Sequence, residues 1–309
     1  MNVFQTVLSL FLVLLAGYLL KRRGILQHSD TAVINRLIMD VTVPAFVFHA
    51  VYKQHISPDM VRAAWLFALL QVLLMGLLWI PVRLLRLPRP MIGTVLLTAV
   101  YGNTGFLGYP VVQAIFGKTE GAMAAAVVYD QFAMAIPVLT VGVAVAMHYG
   151  GTGKPSWNEL TAFLRTPTFL VLVATIALNA LQVRLPLVIT EAARLVAGAT
   201  VPLVLLSLGL MLEVSPSQAN RYWLPVVLVI GVKMLLFPYL MWWTTGWASI
   251  QGVARLVAVT EAAMPSAMVN AVITARYGCD YQLATLVIVL GTLLTVVVLP
   301  IVATLLGVA

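Results

Sequence analysis

Asp130, Lys233 and Glu261 each stand inside a long apolar run, where a charge is costly. The stretch GNTGFLGYP at 102–110 is equally out of place. It sets Gly102, Gly105, Gly108 and Pro110 around the polar pair Asn103 and Thr104, again within an apolar run. A second stretch, TEAAMPSAMVN at 260–270, holds Glu261, Pro265, Ser266 and Asn270. Proline removes a backbone donor and clashes with the preceding turn. In hydrocarbon, freed backbone groups are tolerable only when buried in protein or lining a wet cavity. Two helices broken at mid-depth would each begin a half-helix whose N-terminus carries unpaired N–H groups and a partial positive charge. Together they would cradle an anion, most simply a carboxylate. Asn103, Thr104 and Asn270 are the expected neutral donors, with Gly105 and Ser266 beside them. Gly102, Gly108, Pro110 and Pro265 are expected to keep the helices broken. The same glycines also fit a simpler role in close helix packing.

Ionisable residues within membrane spans are candidates for function. Each costs about 2.5–3.5 kcal/mol at the centre of a span on insertion scales, so the three must face one another, water or a neutralising proton. Glu261, a few residues before Pro265, is expected to border the cavity. Protonated, it would no longer repel an anion, which would couple proton and substrate. Lys233 would balance a carboxylate or face the substrate, and Asp130, beside Gln131, is the third charge-balance candidate. A sodium ion held by unwound carbonyls and Glu261 is the alternative.

These residues need a membrane scaffold. Of 309 residues 62% are hydrophobic and 9% charged, against about 25% charged in soluble domains. Ten apolar segments run at about 3–20, 32–52, 63–82, 91–116, 121–148, 166–183, 191–212, 222–246, 252–276 and 281–307. Their length excludes a β-barrel, whose strands alternate over about ten residues. The expected fold is an all-α polytopic membrane protein. The first segment lacks a small-x-small cleavage site and reads as an uncleaved span. The net charge of +8 comes from Lys and Arg in short inter-helix loops, a topology signal and not a nucleic-acid footprint. The side richer in them, with Lys21, Arg22, Arg23, Arg83, Arg86, Arg89, Lys154, Arg165, Arg221 and Arg276, is expected to be cytoplasmic, leaving Lys53, Arg62, Lys118, Arg184 and both termini outside. One cysteine, Cys279, excludes an intrachain disulfide. No HExxH, GxSG-type or GxGD pattern is present, and neither a metal, a cofactor nor an enzymatic reaction is expected.

The chain also repeats itself. VTVP at 41–44 recurs as ATVP at 199–202, LTAV at 97–100 as LVAV at 256–259, IFG at 115–117 as RYG at 276–278, and AIP at 135–137 as VLP at 298–300. Four matches in order at slowly growing spacing argue for an internal repeat. Residues 1–150 form the first five-helix half, 151–165 a cytoplasmic linker, and 166–309 the second half. Five is odd, so the second half must be inverted in the membrane, and the broken fourth and ninth segments correspond. Inverted repeats with broken helices at mid-membrane mark secondary transporters.

INRLIMDVTVPAFVFHA at 34–50, GNTGFLGYP, SLGL at 207–210, Lys233 with Pro238, and EAAMPSAMVNAVITARY at 261–277 together resemble the auxin efflux carrier family over nearly the whole chain. The resemblance implies ten helices in two inverted repeats, elevator-like movement of a transport unit against a scaffold, a homodimer in the bilayer, and substrate at the crossover of helices four and nine. Bacterial relatives are associated with malonate, malate and similar acids, which implies a small organic anion and a bacterial inner membrane. Asn270 stands where the plant carriers have a second crossover proline, and Glu261 where they have Gln.

Overall fold

The computed structural model describes residues 3–27, 29–151, 158, 161–211 and 219–307. Most of the 151–165 linker, with Lys154, lies outside them. The described residues form twelve helices besides a short 3-10 turn at Ala162–Arg165. They are α1 (Val3–Arg22), α2 (Asp30–Val51), α3 (Pro58–Leu84), α4 (Arg89–Val100), α5 (Thr104–Phe116), α6 (Ala122–Gly150), α7 (Pro167–Ala180), α8 (Leu187–Met211), α9 (Arg221–Trp247), α10 (Gly252–Ala262), α11 (Val269–Arg276) and α12 (Tyr281–Leu305). Six of them, α2, α3, α6, α8, α9 and α12, are long and apolar enough to cross a bilayer.

Two of the ten expected segments are each two helices. Residues 91–116 part at 101–103 into α4 and α5, and residues 252–276 part at 263–268 into α10 and α11. The first gap is narrower than GNTGFLGYP suggests. From Thr104 the chain is already helical, so Pro110 breaks nothing; it lies in the first turn of the regular segment Tyr109–Phe116.

Proline acts instead on helix width. The described residues include five wide π turns: those at Ile38–Thr42, Thr104–Gly108, Tyr129–Ala135 and Gly231–Leu236 each end two residues before a proline, Pro44, Pro110, Pro137 and Pro238, whereas the fifth, at Val138–Gly142, directly follows Pro137. A proline ring clashes with the carbonyl one α-turn back and cannot bond to it. Widening the turn just before the ring accommodates both defects without ending the helix. Asp130 and Lys233 both lie on such wide turns.

Eight of the ten left-handed residues among those described fall into four pairs at similar spacing, and Lys53 and Gly252 stand outside them. Gly24 and Gln182 (φ 69° and 53°), Arg86 and Ser249 (52° and 56°), Gly121 and Gly278 (77° and 76°), and Gly151 and Gly307 (78° and 70°) stand 158, 163, 157 and 156 residues apart. Each ends a helix or begins the next, where a positive φ turns the chain back.

Packing divides the helices into two bodies. In the first, α1 lies along α8 and α2 against α7 and the start of α8. The α1–α8 contact is backbone to backbone: a Cβ on Gly17 would strike the Leu206 carbonyl, and one on Gly209 the Leu14 carbonyl. The second body joins α3 to α4 and α6, α4 to α6, α9 to α10 and α12, and α11 to α12.

Candidate functional site

The two gaps meet in the middle of the second body. Gly102 and Ser266 form an antiparallel bridge. The Asn103 N–H donates to the Pro265 carbonyl (2.7 Å) and the Ala267 N–H to the Tyr101 carbonyl (3.0 Å). Two unwound segments thus satisfy each other's backbone, which answers the cost of breaking two helices in an apolar interior.

Side chains complete the crossing. The Asn103 Oδ1 accepts from the Phe106 N–H (3.2 Å) and caps α5. The Asn270 amide nitrogen donates to the Tyr101 carbonyl (3.0 Å), the Leu97 carbonyl (3.4 Å) and Ser266 Oγ (3.0 Å). Asn270 therefore caps the C-terminal end of α4 from the opposite half, using orphan carbonyls that every helix end leaves. Lys233 does the same for α10: its Nζ donates to the Ala262 carbonyl at 2.6 Å and rests 4.7 Å from the centre of the Phe237 ring.

The glycine spacing in GNTGFLG has a geometric cause. Gly102, Gly105 and Gly108 each face one buried ionisable group from a different helix. A Cβ on Gly102 would stand 2.7 and 2.8 Å from Cε and Nζ of Lys233 on α9. One on Gly105 would stand 3.2 Å from Asp130 Oδ1 on α6, and one on Gly108 would run into the Glu261 carboxyl on α10. The three glycines bring a basic and two acidic side chains against one strip of backbone.

The three charges are held differently. Asp130 accepts from Thr104 Oγ1 (2.6 Å), Tyr109 OH (2.7 Å) and Gln131 Nε2 (2.8 Å). Glu261 is fully buried and neither carboxyl oxygen has a hydrogen-bond partner. Lys233 and Asp130 both act on it electrostatically, with opposite signs. An unpaired buried carboxylate is very costly, so Glu261 depends on Lys233 or on a proton.

A cavity of about 360 Å³ opens between the two bodies. The second body contributes Asn103, Gly105, Phe106, Tyr109, Asp130, Gln131 and Met268 to its wall, and the first body Asn35, Met39, Thr166, Phe169, Val204 and Met211. Of the expected substrate contacts, Asn103 and Gly105 line it, whereas Thr104 is bonded to Asp130 and Ser266 and Asn270 are spent on the crossing. Asp130 is on the wall; Glu261 and Lys233 are not, so Glu261 does not border this cavity as its place in the sequence suggested. Asn35, Gln131, Thr166 and Thr168 are polar wall residues that the sequence did not single out. Asn35 and Gln131 sat inside or beside quoted motifs, INRLIMD and Asp130-Gln131, and that adjacency was the available signal. The Asn103 amide nitrogen is buried and has no partner.

Comparison with known proteins places the site in context. A family model described as "Membrane transport protein" matches residues 2–155 and 157–303. An uncharacterized transporter of Methanothermobacter thermautotrophicus is 29% identical over 301 residues, covering 96% of each chain. An uncharacterized transporter of Methanocaldococcus jannaschii is 25% identical over 310 residues, again covering 96% of each.

Proposed function

Because the chain belongs to the membrane transport protein family, and is a multi-pass membrane transporter and not an enzyme, we propose that it is a secondary carrier of small organic anions, mono- or dicarboxylates such as malonate or malate. The substrate carboxylate sits at the helix crossover, and a proton accompanies it. One observation carries this reading. On the cavity wall, Asn103 spends its oxygen on capping α5 and keeps a buried, unpartnered amide nitrogen. A buried donor without an acceptor is costly, and a carboxylate supplies one. The N-terminus of α5 adds its positive end. Among the described wall residues there is no Lys or Arg, so recognition there is by neutral donors.

The scaffold of the proposal is ten spans in two inverted five-helix repeats, residues 1–150 and 166–309. The matched left-handed residues support it, as does the hydrogen bond from Thr200 Oγ1 to the Thr42 carbonyl (2.9 Å), 158 residues apart and at equivalent places of the two halves. A cavity lined by both bodies supports alternating access in which one body slides against the other. Phe163 and Thr166, beside the linker, line that cavity, so this conformation opens toward the cytoplasm if the basic loops lie inside. A bacterial inner membrane and a homodimer remain part of the proposal on the auxin-carrier resemblance, and external termini on the basic loops.

Asn103→Asp tests it. The variant keeps the capping oxygen and removes the donor, so folded protein should be recovered while exchange of labelled malonate, malate or isovalerate in proteoliposomes is lost. Unchanged exchange would overturn the carboxylate assignment. One observation favours sodium coupling as a second reading: the Glu261 oxygens and Asn270 Oδ1 are buried acceptors without donors, as cation ligands are. Exchange driven by a sodium gradient at constant pH decides between the two.

A further inference from the structure

We propose that Asp130 carries the coupling proton, while Glu261 and Lys233 stay sealed in the crossover. The proposal rests on the anion-carrier reading above. Among the described residues three charged side chains are buried, and of these only Asp130 reaches the cavity wall; Lys233 is tied to the Ala262 carbonyl and Glu261 is sealed against Gly108. A proton from cavity water can therefore reach Asp130 directly, whereas Glu261 would need the crossing to open.

Charge balance supplies the coupling. Asp130 and Asn103 line one cavity, and Thr104, next to Asn103 in the chain, is hydrogen-bonded to Asp130. The titratable groups facing Asp130 are Tyr109, from α5, and Glu261, from α10. The charged residues of α3, which packs on the same turn, are Asp59, Arg62 and Arg83, near its ends. Across the cavity α2, α7 and α8 present Asn35, Thr166, Thr168 and Met211, all neutral. No cation among the described wall residues thus offsets a substrate carboxylate and an ionised Asp130 together. Like charges at this range in a poorly solvated site repel strongly, so the anion binds when Asp130 has taken up a proton. The proton enters from the water of one face, travels with the anion, and leaves to the other face when the anion has gone. Repeated ionisation at one place is served by three donors (Thr104, Tyr109, Gln131), two of them hydroxyls that can reverse and accept from the protonated acid.

The test uses the purified full chain in proteoliposomes with labelled malonate, malate and isovalerate. Self-exchange at equal pH is compared with accumulation driven by an acid exterior. One proton per anion allows about tenfold accumulation per pH unit. Asp130→Asn, nearly isosteric and still an acceptor for Thr104, should retain self-exchange and lose the pH-driven accumulation. Glu261→Gln should keep the accumulation ratio on whatever exchange survives. Accumulation intact in Asp130→Asn, or lost only in Glu261→Gln, overturns the proposal. Wild-type protein that is folded but exchanges no acid overturns the carrier reading, and this proposal with it. If Asp130→Asn does not fold, the wild type still decides: dicyclohexylcarbodiimide attacks protonated carboxyls in apolar surroundings. Peptide mass spectrometry should find Asp130 modified, less so with substrate present; modification of Glu261 alone overturns the assignment.

Discussion

Gly108 has no room for a methyl group, because the Glu261 carboxyl occupies that place. Gly108→Ala is expected to destabilise the protein by about 1–3 kcal/mol, as overpacking does. Gly102→Ala should cost less, since the far end of the Lys233 side chain can shift, and Gly105→Ala least, at 3.2 Å from Asp130. Thermal unfolding followed by size-exclusion chromatography checks the order; equal loss at all three positions would contradict it. Cys279, in the turn between α11 and α12, gives a second residue-scale prediction. Burial, with Asp280 beside it, pushes its thiol up to about 11. It should resist maleimide at neutral pH and react only as the pH approaches that value, because the thiolate is the nucleophile. At this scale the sequence was informative about type and poor about direction. Buried charge and glycine spacing were visible in the string. That Thr104 and Asn270 would be spent on Asp130 and on the carbonyls of α4 was not, since those partners are 26 and 169–173 residues away.

Helices broken at two unwound segments that bond to each other, and helices widened before proline, are two answers to the same missing hydrogen bonds. Gap existence was legible in the glycines, in Pro265 and in the repeat. Gap width was not, because a proline at 110 looks the same whether it breaks a helix or follows a π turn. The recurrence of a wide turn ending two residues before Pro44, Pro110, Pro137 and Pro238 gives the distinction a structural rule. Pro137→Ala removes the reason for the wide turn that carries Asp130. Amide exchange over 129–137 is expected to slow as the segment regains α geometry, while transport falls because Asp130 is re-aimed; faster amide exchange there would refute this account. At the α1–α8 contact, Gly17→Val or Gly209→Val should abolish recovery of monodisperse protein, since backbone is the obstacle and cannot move aside.

For the whole molecule, the membrane class was legible because apolar length is a property of the string, and the two proposed halves come from its repeats. The division into two bodies was not, because it mixes α1 and α2 of one half with α7 and α8 of the other. The orientation inferred from basic loops has a direct check. In a Cys279→Ala background, Lys118→Cys should react with an impermeant maleimide on intact cells, and Arg86→Cys only after permeabilisation. The reverse pattern would invert the topology and turn the cavity to the outside.

Pro137 and Pro300 close the matching triplets AIP and VLP, yet the chain before them differs. α6 is wide at Tyr129–Ala135, whereas α12 is regular α over Tyr281–Leu305. Under the inverted-repeat reading, nearly the same instruction has been executed in two ways within one chain. Exchange the two executions, and the product is a conformer of comparable energy whose cavity faces the other way. Duplication would then have provided a ready-made pair of alternative ground states. The bias between them at rest would lie in the places where the copies have drifted apart, such as Gln131 against the stretch LLTVV that precedes VLP.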